Sequence, residues 1–279
     1  MRNFLVMQTD FSMRSAAVSV MHGVSYQVDR DLVVEDISHE VDKWSPYAAS
    51  TNLAYALPYW PVGTVFVSVI DPGVGTDRKA CVAKTKNGYY IVTPDNGALT
   101  HVAREYGIDA VRVIDETVNR YPGTEQINIF HGRDLFAYCG AKLASGKISF
   151  EEVGPAYDVS EIVMIETPDA YVEDSTIHGF NKTCNANFGI NVSNIPVELL
   201  AEIDVGLGDT VHLTVSHNGQ VHFDADVLYH RSFGYVAPGE PICYNAEGML
   251  VGFALNLENF MERYHTQSGP DWQVTIRKA

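Results

Sequence analysis

The stretch Thr64-Val65-Phe66-Val67-Ser68-Val69-Ile70-Asp71-Pro72-Gly73-Val74-Gly75-Thr76-Asp77-Arg78 joins an apolar β-type run to a carboxylate and then to a glycine-rich turn. Strands that end this way border the ligand clefts of α/β folds. Gly73 and Gly75 let backbone approach a ligand closely, and Asp71 and Arg78 can meet across the turn as a charge-assisted pair. The same pair would serve equally well as a clasp that holds the loop.

Working outward, Phe4–Gln8, Leu32–Ile37, Tyr89–Thr93 and Ala110–Ile114 read as further short strands. Between them, Arg14–Val28 and Tyr47–Leu57 carry apolar residues at helical spacing. Asn96–Glu105 is a third helix, following the turn Pro94-Asp95-Asn96-Gly97. Gly132–Ser145 reads as a fourth, opening after His131 and closing near Gly146. This alternation predicts an α/β layered N-terminal domain.

After Gly154-Pro155 the texture changes to short β-type runs at Ile162–Ile165, Thr176–Gly179, Val211–Val215, Val221–Phe223 and Leu250–Leu255. Ser216-His217-Asn218-Gly219 between two of them is a hairpin signal. The expectation is a smaller all-β, barrel-like C-terminal domain. The domains are assigned to residues 1–163 and 172–279, with the junction near 160–172.

Composition narrows the function. A net charge of −16 and the absence of any lysine- and arginine-rich run argue against nucleic acid, which needs a concentrated basic face. Apolar runs such as Val65–Ile70 are far shorter than the ~20 residues that cross a bilayer. Met1-Arg2-Asn3-Phe4-Leu5-Val6-Met7 begins like a leader, but Gln8-Thr9-Asp10 interrupts it, so it reads as a first strand. Cys81, Cys139, Cys184 and Cys243 lie too far apart for a zinc-type pair and read as free thiols of a cytoplasmic protein. No metal ligand set is assigned.

A second chemistry-bearing segment is Phe130-His131-Gly132-Arg133-Asp134, where an imidazole able to titrate near neutrality precedes a helix. A lone histidine beside an aromatic also serves structure, and Arg133-Asp134 also reads as a local ion pair. Seven motifs then recur in order. They are Thr9-Asp10-Phe11, Trp44, Pro61-x-Gly63-Thr64-Val65, Asp71-Pro72-Gly73-Val74-Gly75, Pro94-Asp95-Asn96-Gly97, Phe130-His131-Gly132-Arg133-Asp134 and Phe188-Gly189.

In that order they resemble the SAM hydroxide adenosyltransferases, relatives of the SAM-dependent fluorinases and chlorinases. The resemblance implies an α/β domain followed by a barrel-like domain, and homotrimers with active sites between subunits. It implies hydrolysis of S-adenosylmethionine (SAM) to adenosine and methionine, with SAM as substrate and no cofactor or metal. Asp71, Arg78 and His131 match the set associated with water activation. A carboxylate at position 71 would repel a halide, which separates this chain from the halogenating relatives.

By the same resemblance Asp10 binds the ribose hydroxyls, Trp44 walls the substrate and Phe188 contacts adenine, with Gly73, Gly132 and Asn185 also at the substrate. A helix-capping aspartate, a core or interface tryptophan and a core phenylalanine remain alternatives for the first three. At the methionine end the pattern differs: Ser15 and Asn185 stand where the family carries carboxylates, and Ala246 where it carries serine. Two alternatives follow, a hydrolase of another 5′-substituted adenosine and a non-catalytic adenosine- or SAM-binding protein.

Overall fold

The computed structural model describes residues 3–279. Met1 and Arg2, part of the stretch read as a leader-like start, lie outside the described residues. The chain divides into two compact units, one running to Ile165 and the other covering Glu166–Ala279.

In the first unit the element order is β1 (Leu5–Thr9), α1 (Ala17–Val28), β2 (Val34–Ser38), α2 (Pro46–Ala56), β3 (Val65–Val69), β4 (Ala80–Thr85), β5 (Tyr90–Pro94), α3 (Thr100–Tyr106) and β6 (Ile108–Val113). It continues with α4 (Glu116–Asn119), a π-helical turn at Gly132–Ala137, α5 (Tyr138–Ala144) and β7 (Ala156–Tyr157). The seven strands form one sheet in the order β2-β1-β3-β5-β4-β6-β7. β1 is parallel to β2 and β3, and β3 to β5, whereas β4 runs antiparallel between β5 and β6.

Alternation along β1 sets the packing, because successive side chains leave opposite faces of a strand. Leu5 and Met7 join a core with Met21 of α1 and Leu143 of α5. Val6 faces a second core with Leu53 of α2 and Val102 of α3. Each fully buried side chain of this size contributes about 1.5–3 kcal/mol. The register pairs Thr9 with Val69 and Gln8 with Ser38, so β1, β2 and β3 end side by side. The residues that follow these ends, Asp10, His39 and Asp71, therefore emerge along one edge of the sheet.

Local chemistry fixes the helices. Ser45 caps α2 by accepting the Ala48 N–H at 3.1 Å, and Pro46 occupies the first turn, where its missing N–H costs nothing. α1 buries Val18, Met21, Val24, Ser25 and Val28, one stripe at helical spacing.

The second unit contains β8 (Tyr171–Glu173), β9 (Thr176–Asn185), β10 (Ile190–Pro196), α6 (Leu199–Glu202), β11 (Thr210–His217), β12 (Gln220–Tyr229), β13 (Pro241–Ala246), β14 (Leu250–Leu255), α7 (Phe260–Tyr264) and β15 (Gly269–Lys278). Its sheet order is β10-β14-β13-β12-β11-β15-β9-β8, and β9 also pairs with β10. Seven strands therefore close into a barrel, with β8 appended to β9. Asn218 and Gly219 take positive φ of 50° and 80° in the β11–β12 hairpin, as the Asn-Gly turn requires.

One expected β-type run needs correction. Ile162–Ile165 is not a strand and belongs to the first unit. Ile162 is buried in the core with Val6 and Phe66. The N–H groups of Val163 and Ile165 donate to Asp95 Oδ1 and Thr100 Oγ1, both at 2.9 Å, so side chains take the place of a sheet ladder. Among the described residues no helix is long and apolar enough to cross a membrane.

Candidate active site

Asp71 follows the end of β3, where Asn96 Nδ2 donates to the Ile70 carbonyl at 2.9 Å and holds the strand end in place. Gly75 turns the chain at a φ of +77°, with a hypothetical Cβ only 2.9 Å from the Asn128 carbonyl oxygen. Glycine is thus required at this position for two reasons, handedness and space. The close approach docks the Asp71–Arg78 loop against the segment that leads into His131.

Arg78 and Asp71 form a bidentate pair, with Nε 3.0 and 3.1 Å from Oδ1 and Oδ2, and Nη2 also bonded to Oδ2. Arg78 Nη2 lies 3.0 Å from His131 Nδ1, so the guanidinium stands between the carboxylate and the imidazole. On the other side of the ring, Arg120 Nη2 lies 3.1 Å from His131 Nε2. Both ring nitrogens of a buried histidine therefore face guanidinium groups.

This arrangement has a clear electrostatic sign. A neutral imidazole offers one nitrogen as acceptor, whereas imidazolium offers none and would place a third cation between two others. Burial first, then Arg78 and Arg120, push the His131 pKa below the ordinary 6.5, against the weaker opposing pull of Glu116 and Asp71. The surroundings thus favour neutral imidazole over imidazolium at His131.

Sequence reasoning missed Arg120. Its Nε and Nη2 bind Glu116 Oε2 at 3.0 and 2.7 Å, and its Nη1 donates to the Thr124 and Ile127 carbonyls at 3.1 and 3.0 Å. One side chain thus gathers the loop between α4 and His131. The Glu116-x-x-x-Arg120 spacing is visible in the sequence, but nothing local signals its return to His131.

Asp71 and His131 line a cavity of about 370 Å³, together with Asp10, Phe11, Lys43, Trp44, Val69, Val74, Ile129, Phe130 and Gly132. That volume falls within the range of small-molecule sites. Asp10 Oδ2 accepts the Trp44 N–H at 3.1 Å, which joins the β1 end to the segment before α2. Gly132 is tightly packed, since a Cβ there would lie 2.9 Å from the Phe11 ring. Gly73 contributes to the loop, with its carbonyl accepting from Thr76, and does not line the cavity. Arg133 pairs with Asp134 at 2.5 and 3.1 Å, the local ion pair.

Of the expected site residues in the first unit, the fold brings Asp10, Trp44, Asp71, His131 and Gly132 to one cavity, with Arg78 bonded to two of them. In the second unit Phe188 is exposed and lines a cavity of about 490 Å³ with Asn187, Ile190, Phe233 and Leu257. Asn185 Oδ1 accepts the N–H groups of Asn187 and Phe188 at 3.1 and 3.3 Å, so that oxygen is committed to the turn. Ser15 Oγ accepts the Ala17 N–H at 3.4 Å at the start of α1.

Comparison with known proteins follows the same division. Residues 5–154 match the SAM hydroxide adenosyltransferase N-terminal domain, and residues 187–273 match the C-terminal domain of that family. An (R)-S-adenosyl-L-methionine hydrolase of Methanocaldococcus jannaschii is 31% identical over 253 residues, covering 89% of this chain and 87% of its own. One from Salinispora tropica is 30% identical over 249 residues, with 89% and 88% covered. A crystal structure of a conserved Thermotoga maritima protein superposes with a TM-score of 0.87 at 30% identity, over 99% of this chain and 100% of that one.

Proposed function

The chain belongs to the SAM hydroxide adenosyltransferase family, and from that premise we propose that it hydrolyses S-adenosylmethionine to adenosine and methionine. The observation that carries the reading is the Asp71–Arg78–His131 cluster beside a cavity that also bears Asp10 and Trp44.

Water attacks C5′ as the C5′–S bond breaks, and the electron pair leaves on sulfur as neutral thioether. The sulfonium is already an activated leaving group, so the protein's task is to align one water and exclude others. Asp71 keeps lone pairs beyond those used by Arg78, and it orients the water and takes the proton as the new C–O bond forms. Arg78 fixes the carboxylate and links it to His131. His131, neutral, holds the guanidinium in register. Asp10 accepts hydrogen bonds from the ribose hydroxyls, and Trp44 forms an apolar wall against the substrate. By family correspondence Phe188 is assigned to adenine, and Gly132, at the cavity wall, gives close backbone approach. The same correspondence assigns Asn185 to the methionine end.

The reading carries a homotrimer with sites between subunits. Trp44 and Ile129 support it, because they are 69% and 84% exposed yet line the cavity and leave apolar surface for a ligand or neighbouring chain to cover. It also places the protein in the cytoplasm, where Cys81, Cys139, Cys184 and Cys243 stay reduced as the free thiols they are.

The test incubates purified protein with each sulfonium epimer of SAM and follows adenosine by chromatography. We expect turnover that falls more than about 100-fold in Asp71→Asn, as loss of a proton acceptor predicts. No adenosine above that variant overturns the reading. The commitment of Ser15 Oγ and Asn185 Oδ1 to local backbone favours a second reading, hydrolysis of a 5′-substituted adenosine lacking the amino-acid ammonium. Ligand-induced thermal stabilisation by SAM without product would instead mark a binding protein.

A further inference from the structure

We propose that His22, Asp36 and His39 form a binding site for a late first-row divalent cation, best suited to Zn²⁺. His22 comes from α1, Asp36 from β2, and His39 from the residue just beyond β2. One ligand atom from each residue lies within 4.8 Å of the others. His22 Nε2 and His39 Nε2 both lie 2.9 Å from the same atom, Asp36 Oδ1.

The independent pointer is His39. It is only 5% exposed, and its Nε2 has no partner of hydrogen-bond geometry even though Asp36 Oδ1 is within contact distance. A buried polar atom left unsatisfied is destabilising, and a bound cation would satisfy it. Its other nitrogen is already engaged, because Nδ1 lies 2.9 Å from Thr9 Oγ1. Such an outer contact fixes which nitrogen faces a metal.

Two imidazoles and one carboxylate suit Zn²⁺ far better than Ca²⁺ or Mg²⁺, which prefer oxygen cages. Tetrahedral ligands at about 2.0–2.2 Å from zinc stand roughly 3.3–3.5 Å apart, a few tenths of an ångström beyond the contacts here. His22 and Asp36 can make that adjustment, since their side chains are 25% and 30% exposed. The same exposure admits water to the fourth position.

The cation would act on the turn that feeds the cavity. Thr9 Oγ1 accepts the Phe11 N–H at 3.1 Å, and the His39 carbonyl accepts the Ser12 N–H at 2.7 Å. Fixing His39 therefore stiffens the turn that presents Asp10 and Phe11, and the cation itself stands outside the reacting groups.

The experiment uses untagged full-length protein freed of metal with a chelator, then titrated with ZnCl₂ against a chromophoric competitor and with CoCl₂ in the visible range. The expected result is one equivalent per chain, an imidazole-type Co²⁺ spectrum and a Zn²⁺-dependent rise in Tm. His22→Gln and Asp36→Asn, both at partly exposed positions and checked for fold by circular dichroism, should each weaken Zn²⁺ binding more than about 100-fold, beyond the loss typical of an outer-shell partner. Failure of the wild-type chain to bind one equivalent overturns the proposal, as does binding that survives both substitutions. Neither readout depends on hydrolysis, so failure here is distinguishable from failure of the functional reading.

Discussion

Arg78 is the residue on which the site turns, because it binds Asp71 through two nitrogens and His131 through one of them. Removing it leaves a buried carboxylate without its counter-charge, a situation that costs about 3–5 kcal/mol. Arg78→Gln should therefore lower Tm markedly, and adding Asp71→Asn should restore part of the loss. Stability that is additive in the double variant would refute the coupling. Arg120 gives a separate test. Burial and then the two guanidiniums lower the His131 pKa below 6.5, so the native imidazole takes up its proton at lower pH than the unfolded chain does. The stability contributed above pH 6.5 is accordingly lost as pH drops toward the native value. Arg120→Gln removes one repelling charge and should move the acid limb of kcat/KM upward toward 6.5, measured alongside the His131 titration by NMR. An unmoved limb would leave Arg120 with a purely structural role. Asp71, Arg78 and His131 were legible because ordered motifs carry them. Arg120 was not, because its contact with His131 is made by a loop and leaves no periodic trace.

At the scale of elements, the cavity wall depends on how closely the π-helical turn at Gly132–Ala137 approaches the β1 end. A methyl group at Gly132 would meet the Phe11 ring at 2.9 Å, and overpacking of this kind costs about 1–3 kcal/mol. Phe11 is partly buried and can relieve the clash by moving into the cavity. Gly132→Ala should thus raise KM for SAM about tenfold, equivalent to about 1.4 kcal/mol, with a smaller change in kcat. Steady-state kinetics decide it, and an unchanged KM would mean that Phe11 does not border the substrate. The strands that frame this wall were readable as apolar runs bounded by turns. β4 was not, since Ala80-Cys81-Val82-Ala83-Lys84-Thr85 has neither a strong alternation nor β-branched density, and its place comes from pairing between β5 and β6. In the second unit the Asn218-Gly219 hairpin was local and legible. Barrel closure was not, because the β9–β10 pairing and the seat of β15 between β11 and β9 are long-range facts.

For the whole molecule the governing quantity is a net charge of −16, which favours the long-range approach of cations over anions. SAM at neutral pH carries two positive groups and one carboxylate, hence a net single positive charge. Capture of a cation by an acidic protein is screened as the Debye length falls from about 30 Å at 0.01 M salt to about 8 Å at 0.15 M. The expected signature is a fall in kcat/KM for SAM of roughly threefold over that interval, with kcat nearly constant because screening acts on encounter and not on the bound chemical step. Lys43 in the cavity lining opposes the attraction locally, so Lys43→Gln should steepen the dependence. A neutral 5′-substituted adenosine would feel no such field. Measuring the salt dependence with SAM and with a neutral thioether analogue therefore tests the two substrate readings by one physical criterion. If SAM is the substrate, its kcat/KM carries the slope and exceeds that of the analogue. If the neutral compound is turned over faster and without a slope, the departures at Ser15 and Asn185 have redirected the site away from the sulfonium.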